Sequence, residues 1–255
     1  MIKAERQESI RALVGSHGSA SVRDIAAELG VSEMTIRRDL AEMSDRGELE
    51  RVHGGALRTS GRRPSMLRRE YTHAEKRSRM AEEKRSIAKR AVRLIEGDAT
   101  VFLGTGTTVE QMVPLLPACR LRIVTNSLSV FTMIESDPAY ELCLIGGTYR
   151  PRTSAFVGPL AEEAIGRLGI DAAFIGANGV SDGSVFTSNA EEGRFQELAF
   201  NAADSRYVLA DSSKVGKRDF FRFYDLIEVD ALITDAQLGD NDRRELEEHC
   251  AILCP

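Results

Sequence analysis

The sequence lacks the features that would place the protein in a membrane or outside the cell. No uninterrupted apolar stretch approaches the roughly 20 residues that a membrane-spanning helix needs. The first residues include Lys3, Glu5 and Arg6, where an export signal would be apolar. Hydropathy and charge therefore predict a cytoplasmic protein that has no contact with a membrane.

Cysteine and histidine are scarce, which gives little support to metal or redox chemistry. The chain has four residues of each type, and neither set shows the close pairing typical of a metal site. The cysteines lie mostly in apolar runs, as reduced core thiols do. We therefore predict neither a metal nor another cofactor. The residues are Cys119, Cys143, Cys250, Cys254, His17, His53, His73 and His249.

The net charge of −5 is distributed unevenly along the chain. Residues 1–60 contain 9 Lys and Arg against 10 Asp and Glu, whereas residues 61–93 contain 12 against 4, a net charge of +8. Such a basic segment can attract DNA phosphates irrespective of base sequence. A solvated helix face with a linker explains the same charges, so both interpretations stay open.

Two short helices joined by a tight turn are predicted near the N-terminus. Ser21 can cap the first helix, Gly30 lies in the turn, and Ser32 can cap the second helix. An amphipathic segment at residues 4–14 predicts one more helix, packed beneath this pair. Residues 1–60 are therefore predicted to form a DNA-binding domain.

The second of the paired helices has one apolar face and one polar face. Ile36, Leu40 and Met43 recur at helical spacing and can face a core. On the polar face, hydroxyl groups can bond to base edges and arginine can bind guanine through two hydrogen bonds. The predicted DNA-contacting residues of the two helices are Ser21, Ser32, Thr35, Arg37 and Arg38.

A hairpin is predicted after these helices. Gly47 ends the second helix, residues 49–52 alternate as a strand, and the tripeptide that begins at His53 is the hairpin tip. Arg51 and His53 are predicted to contact DNA from this hairpin. Helices and hairpin together predict a winged helix-turn-helix, and a small amphipathic helical hairpin with solvated charges is the alternative.

Beyond Gly97, apolar strand-like runs alternate with helical patterns. This order predicts an α/β fold with a mostly parallel sheet, whose ligands collect at the carboxyl ends of the strands. Residues 61–74 are predicted to be a linker, and a long basic helix from Glu75 to Arg93 leads into a second domain at residues 75–255. The predicted strands cover residues 99–103, 121–125, 142–145, 172–175, 207–210 and 231–234.

Loops rich in Gly, Thr and amide side chains follow several predicted strands. Glycine lets the backbone approach a ligand, and N–H groups at a helix start together with Thr hydroxyls suit a phosphate. The first loop lacks the Gly-Lys-Ser/Thr ending of a nucleotide loop and the dinucleotide fingerprint, so ATP and NAD are disfavoured. An ordinary turn between a strand and a helix is the alternative for that loop.

Polar side chains in the later loops suit a sugar that carries a phosphate. Carboxylates and amides can hold sugar hydroxyls, and Lys214 can neutralise a phosphate. The predicted ligand-binding residues are Gly104, Thr105, Gly106, Thr107, Thr108, Asn126, Ser127, Gly147, Arg150, Asp171, Asn178, Glu191 and Lys214.

Two motifs in the N-terminal region bring a known family into view. The segments VSEMTIRRDL at residues 31–40 and RVHGGA at residues 51–56 strongly resemble the N-terminal signature of the DeoR family of bacterial transcriptional regulators. The resemblance implies a sugar-phosphate-sensing domain, related in fold to ribose-phosphate isomerases and sugar-phosphate deaminases, behind the winged helix-turn-helix.

Blocks in the second domain resemble one subgroup, the repressors of lactose phosphotransferase operons. These blocks are GTGTTVE at residues 104–110, LIGGTYR at 144–150, EEGRFQ at 191–196 and LAFN at 198–201. This resemblance implies tagatose 6-phosphate as the inducer. Many family members have Asp-Ser-Gly where this chain has Gly104-Thr105-Gly106, so no ligand contact is carried over from that acidic residue.

The predicted function is repression of a sugar-catabolism operon, with operator affinity controlled by a phosphorylated sugar. A homo-oligomer, either a dimer or a tetramer, would read repeated half-sites in operator DNA. The alternative is an isomerase-like or deaminase-like enzyme with a DNA-binding appendage. Proton transfer in such an enzyme would need Asp171, Glu191 or Glu192. We predict no catalytic residue.

Overall fold

The computed structural model describes residues 3–17, 19–45, 48–52, 55–57 and 73–255. The chain divides into two compact units, Met1–Leu67 and Arg68–Pro255. Gly47, His53 and residues 61–72 of the predicted linker lie outside the described residues.

The N-terminal unit consists of three helices and a small antiparallel sheet. Its sheet has three strands, with the last strand in the middle. This arrangement confirms the predicted winged helix-turn-helix. The elements are α1 (Lys3–His17), β1 (Ser19–Ser21), α2 (Val22–Leu29), α3 (Glu33–Asp45), β2 (Glu50–Val52) and β3 (Gly55–Leu57).

One apolar core holds this unit together. Ile10 of α1 and Ile25 of α2 are buried against Ile36, Leu40 and Met43 of α3. Short helices are marginal in water by themselves, so this shared core rather than local propensity stabilises them. The helical spacing of the three α3 residues predicted their buried face correctly.

The C-terminal unit alternates helices and strands, with short antiparallel pairs inserted. Its helices are α4 (His73–Arg77), α5 (Ala81–Ala91), α6 (Thr107–Glu110), α7 (Leu128–Ile134), α8 (Pro159–Ile165), α9 (Ala190–Asn201) and α10 (Asp240–Glu247). Its strands are β4 (Thr100–Leu103), β5 (Leu121–Thr125), β6 (Tyr140–Leu144), β7 (Thr148–Arg150), β8 (Ala155–Val157), β9 (Ile170–Gly176), β10 (Gly179–Ser181), β11 (Ser184–Thr187), β12 (Ala203–Leu209), β13 (Phe221–Asp225), β14 (Ala231–Ile233) and β15 (Ala251–Leu253).

A seven-stranded parallel sheet forms the centre of this unit. Its strand order is β15-β14-β12-β9-β4-β5-β6, and each neighbouring pair is parallel. All six strands predicted from apolar runs belong to it. The seventh strand, β15, has only three residues, which is too short a run to distinguish from a loop by pattern.

Helices cover both faces of this sheet, as a parallel sheet requires. On one face, Ile87 of α5 packs in a cluster with Val101 and Leu103 of β4. On the other face, Phe102 of β4 packs in a cluster with Phe195 of α9. The alternation of these three β4 residues divides the apolar core into two layers.

Two small antiparallel sheets complete the unit. One has the order β10-β11-β13, and the other pairs β7 with β8. Backbone hydrogen bonds from Phe156 to Asn126 and from Leu128 to Ser154 place the β7–β8 pair beside the carboxyl end of β5.

The predicted long helix from Glu75 to Arg93 is wrong, because the helix is broken. Residues 78–80 separate α4 from α5, and Met80 has a left-handed backbone with φ of 52°. The Nζ atom of Lys84 donates to the carbonyl oxygens of Lys76 and Arg79 at 2.5 and 2.6 Å. A buried lysine therefore binds carbonyl groups at the break.

Within the described part of the chain, no helix is both long enough and apolar enough to cross a membrane.

Candidate functional site

The helix α3 presents a polar face whose first turn is held by a capping interaction. The backbone N–H of Thr35 donates to Ser32 Oγ at 3.2 Å, and the two hydroxyl oxygens lie 2.9 Å apart. Such a cap satisfies N–H groups that the first helical turn leaves free. Both predicted hydroxyl residues therefore lie together at the N-terminal end of α3.

The two predicted arginines lie on the exposed face of α3. Arg37 pairs with Glu33 at 3.4 Å, and Arg38 pairs with Glu42 at 3.6 Å. Exposed pairs of this spacing contribute only about 0.3–0.5 kcal/mol. Such weak pairs can open at little cost, so the guanidinium groups can exchange their carboxylate partners for a phosphate or a base.

The remaining predicted DNA contacts lie at the edges of this face or outside the described residues. Ser21 caps α2, where its Oγ accepts from the Asp24 N–H at 3.1 Å and donates to an Asp24 carboxylate oxygen at 2.6 Å. Arg51 lies in β2 of the wing. His53 falls among the residues that the structure does not describe.

The order of strands in the C-terminal unit predicts a crevice at one edge of the sheet. The chain passes from β4 to β5 and β6 on one side and then returns to β9 on the other side of β4. A parallel sheet opens at its carboxyl edge where the strand order reverses in this way. The predicted ligand loops at residues 104–106, 126–127 and 177–178 follow β4, β5 and β9, so they converge at this edge.

The loop after β4 brings backbone and threonine hydroxyls to the crevice. Gly106 has φ of 125°, a conformation that side chains rarely allow, and the short helix α6 begins at Thr107. Thr105, Thr107 and Thr108 are largely buried. The loop therefore holds buried threonines at the start of α6, and their contact with a ligand stays a prediction.

Asn126 and Ser127 lie at the same edge, but both have structural partners. The Nδ2 atom of Asn126 donates to the carbonyl oxygen of Phe156 at 2.9 Å. Ser127 caps α7 by accepting from the Val130 N–H at 3.3 Å. These bonds fix the β7–β8 pair and α7 beside the crevice.

Gly147 and Arg150 follow β6, and Arg150 bonds to α9. A Cβ atom at Gly147 would lie 2.6 Å from the carbonyl oxygen of Val157, so a side chain does not fit there. Arg150 Nε donates to Glu192 Oε1 at 2.8 Å, and the Thr153 hydroxyl donates to the same oxygen. The guanidinium group is thus held by the first turn of α9.

The buried carboxylate of α9 is Glu192, whereas the predicted Glu191 is exposed. The ligand contact at Glu191 stays a prediction, whereas Glu192 is the carboxylate that points into the protein. The helical phase could have identified Glu192 as the buried carboxylate, because it shares its spacing with Gln196 and Ala199, which are also buried.

Two lysines that the prediction omitted lie at this edge. Lys76 of α4 donates from Nζ to Asn178 Oδ1 at 3.1 Å. Lys84 of α5 is 5% exposed. Their positions in a strongly basic segment gave no signal, because charge runs usually form solvated faces.

Electrostatics show that these cations share one region. Burial lowers the pKa of Lys84, and the charges of Lys214, Lys76 and Arg79 lower it further, whereas Asp211 opposes the shift. A further anion beside this buried ammonium would reduce the repulsion among the positive charges, as Asp211 already does in part. This arrangement suits a ligand with a phosphate group.

Asp171 does not join the site. It lies at the start of β9, where Oδ2 accepts from the N–H of Thr100, the first residue of β4, at 2.6 Å. The carboxyl edge is at the opposite end of β9, about 20 Å away at roughly 3.3 Å per residue. The prediction of a ligand contact at Asp171 is therefore wrong, because Asp171 lies at the amino end of β9 and the predicted ligand loops lie at its carboxyl end.

Among the described residues, no group of three or more His, Cys, Asp or Glu side chains is arranged to hold a metal ion. His73 instead bonds through Nε2 to the buried carboxylate of Glu110, and its backbone N–H donates to the carbonyl oxygen of Arg152. These contacts attach the start of α4 to α6 and to the β7–β8 turn.

Two family models match this chain. Residues 6–61 match the DeoR-like helix-turn-helix domain, and residues 79–236 match the DeoR C terminal sensor domain.

Curated relatives match over nearly the whole chain. A lactose phosphotransferase system repressor of Staphylococcus epidermidis is 40% identical over 250 residues, which is 97% of this chain and 96% of the relative. The protein of the same name from Streptococcus mutans is 38% identical over 255 residues, 99% of this chain and 100% of the relative. Among solved structures, ribose 5-phosphate isomerase A of Methanocaldococcus jannaschii matches with a TM-score of 0.38 at 18% identity, over 53% of this chain and 55% of that chain.

Proposed function

Since this chain belongs to the DeoR family of transcriptional regulators and is a DNA-binding repressor of a sugar-catabolism operon, we propose that a phosphorylated sugar controls its affinity for operator DNA. The DNA-reading surface is α3 with the wing, and the effector site is the carboxyl edge of the parallel sheet. Effector binding and operator binding are then two equilibria linked through one chain.

The cluster of cations at the carboxyl edge carries the effector half of the proposal. The positive charges of Lys214, Lys76 and Arg79 and the carboxylate of Asp211 all act on the buried ammonium of Lys84. Burial removes water from the ammonium of Lys84 and so disfavours its charged form. A phosphate beside this ammonium would replace part of the lost hydration and would be bound strongly.

The sugar portion would lie against the polar groups that surround this cluster. Asn178 contacts Lys76, and the threonines of the loop after β4 line the same edge. Among phosphorylated sugars we propose tagatose 6-phosphate, which the resemblance of this chain to repressors of lactose phosphotransferase operons implies.

The competing proposal, an isomerase-like or deaminase-like enzyme, is not favoured by the three carboxylates that the sequence offered for proton transfer. Of the three carboxylates that could serve, Asp171 lies at the other edge of the sheet, and Glu191 is exposed. Glu192 is paired with Arg150. We therefore propose a ligand-binding site without catalysis, and steady turnover of a sugar phosphate by the purified protein would reverse this choice.

We also propose the assembly and organisation that this function needs. The DNA-binding domain spans residues 1–60, a linker spans 61–74, and the effector domain spans 75–255. A symmetric homo-oligomer, a dimer or tetramer in the cytoplasm, would place two α3 helices on repeated half-sites.

A thermal-shift panel on the full-length protein tests the effector site. The panel contains tagatose 6-phosphate, fructose 6-phosphate, ribose 5-phosphate, glucosamine 6-phosphate and inorganic phosphate. A ligand at 100 times its Kd stabilises the folded state by about 2.7 kcal/mol, so a selective ligand should raise the melting temperature measurably. The same ligand should change operator affinity by about 5- to 150-fold.

Matched variants locate the binding within the molecule. Thr107→Val and Lys214→Met should lose the thermal shift and the effector response while they retain operator binding. Lys89→Met removes an exposed lysine of α5 and should behave as the parent protein does. An unchanged shift in both site variants would place the effector elsewhere.

A further inference from the structure

The exposed face of α3 carries a large apolar side chain. Met34 is the second residue of the helix, and this residue is 76% exposed. Among the described residues of the N-terminal unit, no other large apolar side chain has comparable exposure. Since Ile36, Leu40 and Met43 already form the α3 part of the core, Met34 contributes nothing to the packing of the domain.

The polar groups beside Met34 are bonded to one another. Ser32 and Thr35 share the capping interaction, and Arg37 pairs with Glu33. The exposed Met34 side chain is therefore surrounded by polar groups that can bind DNA after small rearrangements. Its nearest helical neighbours at i+3 and i+4 are Arg37 and Arg38, which favour a strongly anionic partner over a protein surface.

The major groove of DNA offers one apolar feature, the C5-methyl group of thymine. Recognition helices contact base edges mainly with their N-terminal residues, and Met34 occupies such a position. The flexible thioether chain can adapt its shape to a methyl group. We propose, resting on the operator-binding function above, that Met34 reads a thymine methyl group and makes the protein select thymine at one position of each half-site.

The test uses thymine and uracil, which differ only in this methyl group. An operator is first selected by the full-length protein from a library of random DNA duplexes. Each thymine of the selected operator is then replaced singly by deoxyuridine, and Kd is measured by fluorescence anisotropy. One methyl group buried against apolar atoms corresponds to about a fourfold change in Kd.

The parent protein should bind about fourfold more weakly when one particular thymine per half-site loses its methyl group. Met34→Ala should bind the thymine operator more weakly and should show no preference between thymine and uracil at that position. Met34→Leu should keep part of the preference. Met133→Ala, which removes an exposed methionine of α7, is the matched control and should leave both affinities unchanged.

The outcomes separate this inference from the proposed function. If an operator is selected and Met34→Ala keeps the parent's ratio of thymine to uracil affinities at every position, the inference fails and operator binding stands. If the library yields no enriched sequence, operator recognition itself fails and the inference falls with it. Because the side chain is exposed, Met34→Ala should melt at the parent temperature, which excludes misfolding as the cause of weaker binding.

Discussion

Lys76 Nζ and Asn178 Oδ1 are hydrogen-bonded at 3.1 Å although the two residues are 102 positions apart. Asn178 follows β9 at the carboxyl edge, and Lys76 belongs to α4, the first described helix after the segment that leads from the N-terminal unit. An effector that contacts this edge would therefore act on the helix next to that segment. This makes α4, together with its bond between His73 and Glu110, the element through which we expect effector binding to reach the DNA-binding domain.

Removal of this hydrogen bond should weaken the coupling between effector and DNA. We expect Lys76→Met and Asn178→Ala each to reduce the effector-induced change in operator Kd several-fold, while Kd without effector stays within twofold. Because both substitutions remove the same bond, the double variant should lose less than the sum of the two free-energy changes. Operator titrations with and without effector measure the coupling in the parent, the two single variants and the double variant. Additive losses of coupling free energy would contradict a shared role of the two residues.

The affinity for a phosphorylated effector should begin to decrease at a lower pH than it would if the site contained only lysines of ordinary pKa. Burial lowers the pKa of Lys84, so its ammonium loses the proton below the usual lysine range. A bound phosphate favours the charged form of Lys84. At pH near or above the lowered pKa, the effector therefore binds together with a proton, and its affinity falls as pH rises through this range. Isothermal titration between pH 7 and the ordinary lysine range would measure this loss.

The stability of the effector-free protein should change with pH in the direction opposite to the change in effector affinity. A lysine whose pKa is lowered by folding destabilises the effector-free protein at pH below that pKa, and the penalty disappears as pH rises toward the unfolded value. Lys84→Met should abolish this contribution. An affinity that stays constant until exposed lysines titrate would contradict the role assigned to Lys84.

The pairing of Arg150 with Glu192 should stabilise the effector domain. Glu192→Gln removes the buried carboxylate charge that binds the guanidinium group of Arg150 and the hydroxyl of Thr153, so we expect a loss of about 1–3 kcal/mol in unfolding free energy. Glu191→Gln changes the adjacent, exposed carboxylate and should stay within about 0.5 kcal/mol. Urea denaturation compares the two variants directly, and equal losses would show that burial of Glu192 has no energetic consequence.

The arginines of α3 should distinguish base contacts from phosphate contacts. If Arg37 or Arg38 binds a base edge, its replacement by alanine should weaken operator binding by about 1–3 kcal/mol and affect unrelated DNA less. Arg167→Ala removes an exposed arginine of the other unit and serves as the control. Equal losses on operator and unrelated DNA, with a reduced salt dependence, would assign the residue to phosphate contact alone.

Much of the fold could be predicted because its signals are local. The spacing of Ile36, Leu40 and Met43 gives the buried face of α3, since helical geometry relates residues three and four positions apart. Continuous apolar runs gave six of the seven strands in the parallel sheet for the same reason. The broken helix at Met80 escaped prediction, because no glycine or proline marks the break and the carbonyl groups there are bound by a side chain farther along the chain, that of Lys84.

The sequence alone determined the order of domains, the winged helix-turn-helix, the family and the loops that follow the strands, because each depends on residues that are neighbours along the chain. Tertiary structure alone decided which charged groups meet. It brought Lys76 and Lys84 to the carboxyl edge, buried Glu192 in place of Glu191 and left Asp171 at the far end of its strand. These outcomes depend on strand direction, helix phase and contacts between residues distant in sequence, and no local pattern encodes them.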